Sequence, residues 1–96
     1  MTQPALELLR AVRPGVYAHW CPGCEQLHEF DVHAVNRDGK AIGWDGDRER
    51  PTVEPTLAAP GCEYLLRAGV ICYLNNCRHR LAGATVPMPV IPAPQP

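Results

Sequence analysis

A chain of 96 residues with 46% hydrophobic and 6% aromatic content makes a single domain whose core is thin for its surface. Nine Lys and Arg against ten Asp and Glu leave a formal net charge of -1, which excludes the basic footprint that generic nucleic-acid binding requires and leaves nucleic acid a disfavoured partner. No apolar run reaches bilayer-spanning length and the N-terminus lacks a secretory pattern, so no membrane association is expected and a cytoplasmic site of synthesis is.

In a reducing compartment, 5 Cys in so short a chain read as metal ligands plus a spare rather than as a disulfide framework. The 11 Pro and 8 Gly predict many turns and short elements. Near the N-terminus, Thr2 suits an N-cap, and Leu8, Leu9 and Val12 recur at helical spacing. The pattern predicts a short amphipathic helix over about residues 3–12, ended by Pro14-Gly15 and too short to stand without docking.

Val16 to Trp20 reads as a strand entering the stretch WCPGC. There Pro22-Gly23 forces a sharp turn that brings Cys21 and Cys24 to one small volume. Leu27 to Val35 alternates, with His28, Phe30, Val32 and Ala34 on one face, and predicts a half-buried strand. Asn36-Arg37-Asp38-Gly39 is a turn signal, and Ala41 to Trp44 returns as the partner strand of a first hairpin. Asp45-Gly46-Asp47 opens a polar loop, followed by a short extended piece at Thr52 to Glu54. Cys62 to Cys77 predicts a second hairpin with its tip at Arg67 to Val70. Leu81 to Val86 offers one more strand. The segment after Pro87, PVIPAPQP at its end, is too rich in proline for a central sheet and reads as an extended arm over 88–96 beside a domain over 1–87.

A C-x2-C pair calls for a second pair of ligands. The second hairpin carries Cys62 and Cys77 to its open end, so Cys21, Cys24, Cys62 and Cys77 form the expected metal set, with His79 and then His28 as alternative ligands. A thiolate-rich tetrahedral set selects Zn2+ and fills its shell, which points to a structural role and away from catalysis. Cys72, alternating with Val70 and Leu74, reads as an inert apolar-face thiol, Asp45 and Asp47 as a turn, and His19 and His33 as surface residues.

Three segments, HWCPGCEQLH, GWDGDRERPTVEPTL and GCEY...GVICYLNNCRHRLAGATVPMP, resemble in order and spacing a family of small zinc-binding proteins of tailed bacteriophages and prophages, some labelled ammonia monooxygenase. Its members carry C-P-G-C followed by His, a W-x-N-G-D...K-P-T-x-x-P-S segment, a Cys-His pair, and D-C-x-H-x-L-A-G-x-x-V-P. The likeness covers about residues 18–89. This chain has Asp45 for the usual Asn, Glu63 for the His after Cys62, and Asn76 for the Asp before Cys77. The resemblance implies phage origin and zinc binding.

Together these readings predict a small β-rich domain, two hairpins cross-linked by a zinc-ribbon-like site, with one short N-terminal helix and a Pro-rich arm. The expected function is non-enzymatic: a protein-protein interaction module, made in the host cytoplasm and carried in the virion as a head-decoration, connector or tail-associated piece. Its partners would be other phage structural proteins or copies of itself. One alternative is an intracellular regulatory zinc module that binds nucleic acid or a host protein, with Arg78, His79 and Arg80 as its basic cluster. The other is a metal-dependent hydrolase using His28 or His79 with Asp45 or Asp47.

Overall fold

The structure, a computed structural model, describes residues 7–36 and 39–92. Its described residues form eight strands: β1 (Arg10–Arg13), β2 (Val16–Cys21), β3 (Gln26–Asp31), β4 (Gly43–Trp44), β5 (Val53–Ala59), β6 (Cys62–Arg67), β7 (Val70–Tyr73) and β8 (Thr85–Pro87). They make a three-stranded sheet in the order β1-β2-β3 and a five-stranded sheet in the order β4-β5-β6-β7-β8. Within each sheet, every strand pairs antiparallel with the next in sequence. The β-rich class is as expected, and no helix occurs among the described residues.

The predicted N-terminal helix is replaced by β1, and the part of it before residue 7 lies outside the described residues. Pro14-Gly15, with Gly15 at φ 79, folds Arg10 to Arg13 back along β2, where Arg10 pairs with Ala18 and Arg13 with Val16. Backbone partners along the β2 edge outweigh the propensity of a stretch with fewer than three helical turns. Leu9 is fully buried, while Val12, expected on the apolar stripe, is 43% exposed.

The first hairpin also differs from expectation. β3 pairs with β2 across the cysteine turn, from Cys21↔Gln26 to Val16↔Asp31. Of the expected pairing between 27–35 and 41–44, only an isolated Val35↔Ala41 bridge forms, and the Arg37-Asp38 tip lies outside the described residues. β4 instead pairs with β5. The alternation in β3 was correctly legible, since His28 and Phe30 are buried and Glu29 and Asp31 exposed. The extended piece predicted at Thr52 to Glu54 grows into β5, an interior strand whose register shifts between Val53 and Leu57 around Pro55. A proline is tolerated inside a sheet at such an irregularity.

The second hairpin forms as read. β6 and β7 pair from Arg67↔Val70 to Tyr64↔Tyr73 across Ala68-Gly69, both at positive φ (50 and 81). Two consecutive left-handed residues make the turn whose twist matches a two-residue hairpin, and glycine is the residue that adopts it without steric cost. The inner faces of the sheets share one core. Tyr17, Cys21 and Phe30 of the smaller sheet pack with Val53, Leu57, Tyr64, Leu66, Ile71 and Tyr73 of the larger. Beyond β8 the Pro-rich segment buries Met88 and Ile91, and Ile91 N–H donates to the Glu7 carbonyl (2.9 Å).

Candidate functional site

The cysteine turn sits at one end of this two-layer core. Glu25 N–H donates to the Cys21 carbonyl (2.7 Å), and Cys24 N–H to the Cys21 sulfur (3.3 Å). Both bonds lock Cys21 and Cys24 on one side of the turn. The start of β6 and the turns after β7 bring a second pair. Sγ of Cys21, Cys24 and Cys62 and a ring nitrogen of His79 all lie within 4.8 Å of one another. Cys62 Sγ and His79 Nε2 are 3.3 Å apart. Zinc bond lengths of about 2.3 Å to sulfur and 2.0–2.1 Å to nitrogen, set tetrahedrally, place such a pair about 3.6 Å apart and two sulfurs about 3.8 Å apart. The cluster therefore has the size and donor set of a four-coordinate metal site.

Of the expected set, Cys21, Cys24 and Cys62 come together, and His79 takes the fourth place ahead of Cys77. Cys77 is held beside the cluster: its sulfur is 3.9 Å from that of Cys62, donates to the Glu63 carbonyl (3.0 Å) and accepts the Glu63 N–H (3.3 Å). Leu81 N–H donates to His79 Nδ1 (3.2 Å), which orients the ring. Gly23 is required for the approach, because a Cβ there would overlap the His79 ring. His28 stays outside the four; its ring packs against those of His19 and Tyr64, and its buried Nε2 has no hydrogen-bond partner among the described residues. Burial raises the Cys21 thiol, and the nearby His28, the Tyr73 hydroxyl and the Cys24 amide outweigh that effect, bringing it to about 6. Burial and the neighbouring sulfurs push the Cys62 thiol strongly up when no cation is present. Crowded sulfurs of this kind need a positive charge among them.

His19, expected at the surface, is completely buried. Its Nε2 bonds the Tyr64 hydroxyl (2.7 Å), and its ring packs edge-on to His28 and Tyr64. Desolvation, reinforced by His28, lowers it to about 4, so the imidazole is neutral. The register explains the error: His19 pairs with His28 on the inner face of the smaller sheet, a pairing visible only once β2 is known to meet β3. Cys72 is half-buried, flanked by the buried Ile71 and Tyr73, and thus on the outer face rather than the apolar one. Asp45 and Asp47 are turn residues, as read. Asp47 Oδ1 accepts the Glu49 and Arg50 amides, and Asp45 Oδ1 those of Asp47 and Thr52.

On the outer face of the larger sheet, Asn76 Nδ2 donates to Glu63 Oε1 (2.7 Å). With Ala59, Gly61, Cys62 and Arg78 they line a polar cleft of about 260 Å³ beside the cysteine cluster. Sequence reading passed over this pair.

The model of a family described as the bacterial ubiquitination-like system serine protease (BubE) matches residues 3–74. That span covers most of the chain, including three of the four clustered ligands. The chain belongs to this family. No curated protein and no solved structure matches it. The match corrects the expectation of a non-enzymatic protein, because the family is described as a protease. Its description concerns a bacterial ubiquitination-like system and carries no phage or virion assignment. The BubE-family chain has one further property that bears on its chemistry: it contains no serine.

Proposed function

We propose that this chain is a peptide-bond hydrolase of a bacterial ubiquitination-like system, built on a zinc-stapled β sandwich and acting on the extended C-terminal tail of a ubiquitin-like protein. The observation that carries the reading is the family match over residues 3–74, which includes the whole smaller sheet and β4 to β7.

Cys21, Cys24, Cys62 and His79 would hold the ion. Three thiolates and one imidazole are a soft, closed set that suits Zn2+, and when bound it supplies a cross-link between the cysteine turn and the larger sheet rather than an activated water. The binding free energy of such a site is folding free energy. This matters in a chain of 96 residues, whose core alone gives limited stability. Tyr73, bonded to the Cys21 sulfur, would orient that ligand from outside the shell.

The test joins metal analysis to an activity assay. The purified protein should contain one zinc per chain by elemental analysis, and it should release a reporter peptide fused to the C-terminal tail of a ubiquitin-like domain. Absence of a bound transition metal removes the staple. Absence of tail release under metal-loaded conditions removes the hydrolase reading.

A further inference from the structure

A four-coordinate ion takes four donors, and five stand together at the cysteine cluster. Cys21, Cys24, Cys62 and His79 make up the compact set, which leaves the Cys77 thiol outside it with its sulfur 3.9 Å from that of Cys62. The backbone holds the two cysteines side by side. Arg78 N–H donates to the Gly61 carbonyl (2.8 Å) and Leu74 N–H to the Glu63 carbonyl (2.9 Å), so both neighbours of Cys62 are tied to the segment that carries Cys77. The Cys77 sulfur is itself bonded to the Glu63 amide and carbonyl. It is a buried thiol kept next to a metal ligand without being one.

A disulfide requires an S–S distance of about 2.0 Å, so the two sulfurs need to close by roughly 2 Å. Cys62 opens β6, whereas Cys77 lies between β7 and β8 outside any strand, and the movement falls on that turn-rich segment. Cys62 also lines the polar cleft, beside Gly61 and Arg78, which gives a small polar oxidant a route to its sulfur. Cys24 borders a second opening, with Pro60 and His79. With the ion bound, however, Cys21 and Cys24 are both ligands, and a disulfide between them takes two donors from the shell. One between Cys62 and Cys77 takes a single donor, because Cys77 contributes none. Cys72 is no competitor: it stands on the outer face of β7, paired with Leu65 and Thr85.

We propose that Cys62 and Cys77 form an oxidative modification site, at which a peroxide converts the pair to a disulfide and opens the metal shell. This inference rests on the metal-binding part of the reading above and is independent of its hydrolase part. The Cys62 thiolate attacks one peroxide oxygen: the S–O bond forms, the O–O bond breaks, and hydroxide leaves. Cys77 then attacks the sulfur of the Cys62 sulfenic acid. The S–S bond forms, the S–O bond breaks, and the departing hydroxide takes the Cys77 proton as water. The two sulfurs together lose two electrons, and the peroxide gains them. Cys21, Cys24 and His79 remain as three donors, too few for a closed site, and the ion passes to a competing chelator. A dithiol reductant returns both thiols and, with zinc present, restores the staple.

The test uses the full zinc-loaded chain, hydrogen peroxide, a zinc-binding dye, and thiol alkylation with peptide mapping. Peroxide should release the zinc as Cys62 and Cys77 become linked, while Cys21 and Cys24 stay open to alkylation. Reductant with added zinc should reverse both changes. Cys77→Ser should keep its zinc before treatment and then hold Cys62 as a sulfenic acid, labelled by dimedone at least about fivefold more than in the wild type. Cys72→Ser should behave as wild type. A first disulfide between Cys21 and Cys24, zinc that stays bound with Cys62 and Cys77 unlinked, or Cys77→Ser labelled no more than the wild type each overturns this inference while the metal site stands. A reduced wild type without zinc overturns both. The mapping of the wild type needs no variant, so a Cys77→Ser chain that fails to fold leaves the disulfide assignment open to disproof.

Discussion

His79 Nε2 lies 3.3 Å from the Cys62 sulfur, whereas Cys77, two residues from His79 in sequence, turns its sulfur to the backbone of Glu63. The two residues lie close together in the loop after β7, and it is the histidine that lies within 4.8 Å of Cys21, Cys24 and Cys62 together. Three thiolates and an imidazole would give the shell of a bound ion a lower negative charge than four thiolates, and Cys77 braces the rim of the cluster through Glu63.

This arrangement predicts opposite results for two Cys→Ser changes. Cys62→Ser should lose most of the bound zinc, and Cys77→Ser should keep one equivalent and cost about 1–3 kcal/mol for disturbing the two buried bonds to Glu63. Elemental analysis with chemical denaturation distinguishes them. The cobalt-substituted protein should show a spectrum of mixed sulfur and nitrogen ligation.

Chelation should lower the melting temperature by more than about 10 °C, since removing the ion leaves crowded, buried sulfurs at the join between the sheets. Acid should do the same. Each ligand must be deprotonated to bind, so zinc release should follow falling pH and reverse on neutralisation.

Gly23 approaches the His79 ring so closely that no Cβ fits between them. Gly23→Ala should therefore displace the imidazole and weaken metal affinity by roughly 10-fold or more. Alanine at the exposed Gly46 provides a control, because a Cβ there meets nothing within 4 Å, although its φ of 84 adds local backbone strain. Competition with a zinc-binding dye measures both.

Tyr64 donates to or accepts from the neutral, buried His19 at 2.7 Å. Tyr64→Phe keeps the ring and strands the imidazole nitrogen, at an expected cost of about 1–3 kcal/mol in unfolding free energy. Urea titration of the metal-loaded protein tests this.

The Asp47 carboxyl is held below its ordinary value by hydrogen bonds from the Arg50 amide and then the Glu49 amide. The native state thus favours the ionised form more than the unfolded chain does. Its contribution is fully present above the ordinary aspartate range and is lost as pH falls through the depressed value. Amide exchange at Glu49 and Arg50 should speed up on acidification through that window, and Asp47→Ala should produce the fast exchange at neutral pH.

What the chain declares locally is considerable. The Pro-Gly turn between Cys21 and Cys24, the alternation in β3, the Ala68-Gly69 hairpin and the Asp45/Asp47 loop each depend on a few consecutive residues whose backbone preferences act over that same short range. Three of the four clustered ligands, Cys21, Cys24 and Cys62, were legible for this reason. Other features depend on which strands meet. Residues 10–13 extend because β2 offers them a ladder, and His19 is buried because it pairs with His28 under Tyr64. His79 displaces Cys77, and Glu63 takes the Asn76 amide, through contacts across a hairpin. Side-chain period and turn chemistry are properties of neighbours in sequence, but the choice between two nearby donors is made by the packing of residues far apart in the chain, and tertiary structure alone decided it.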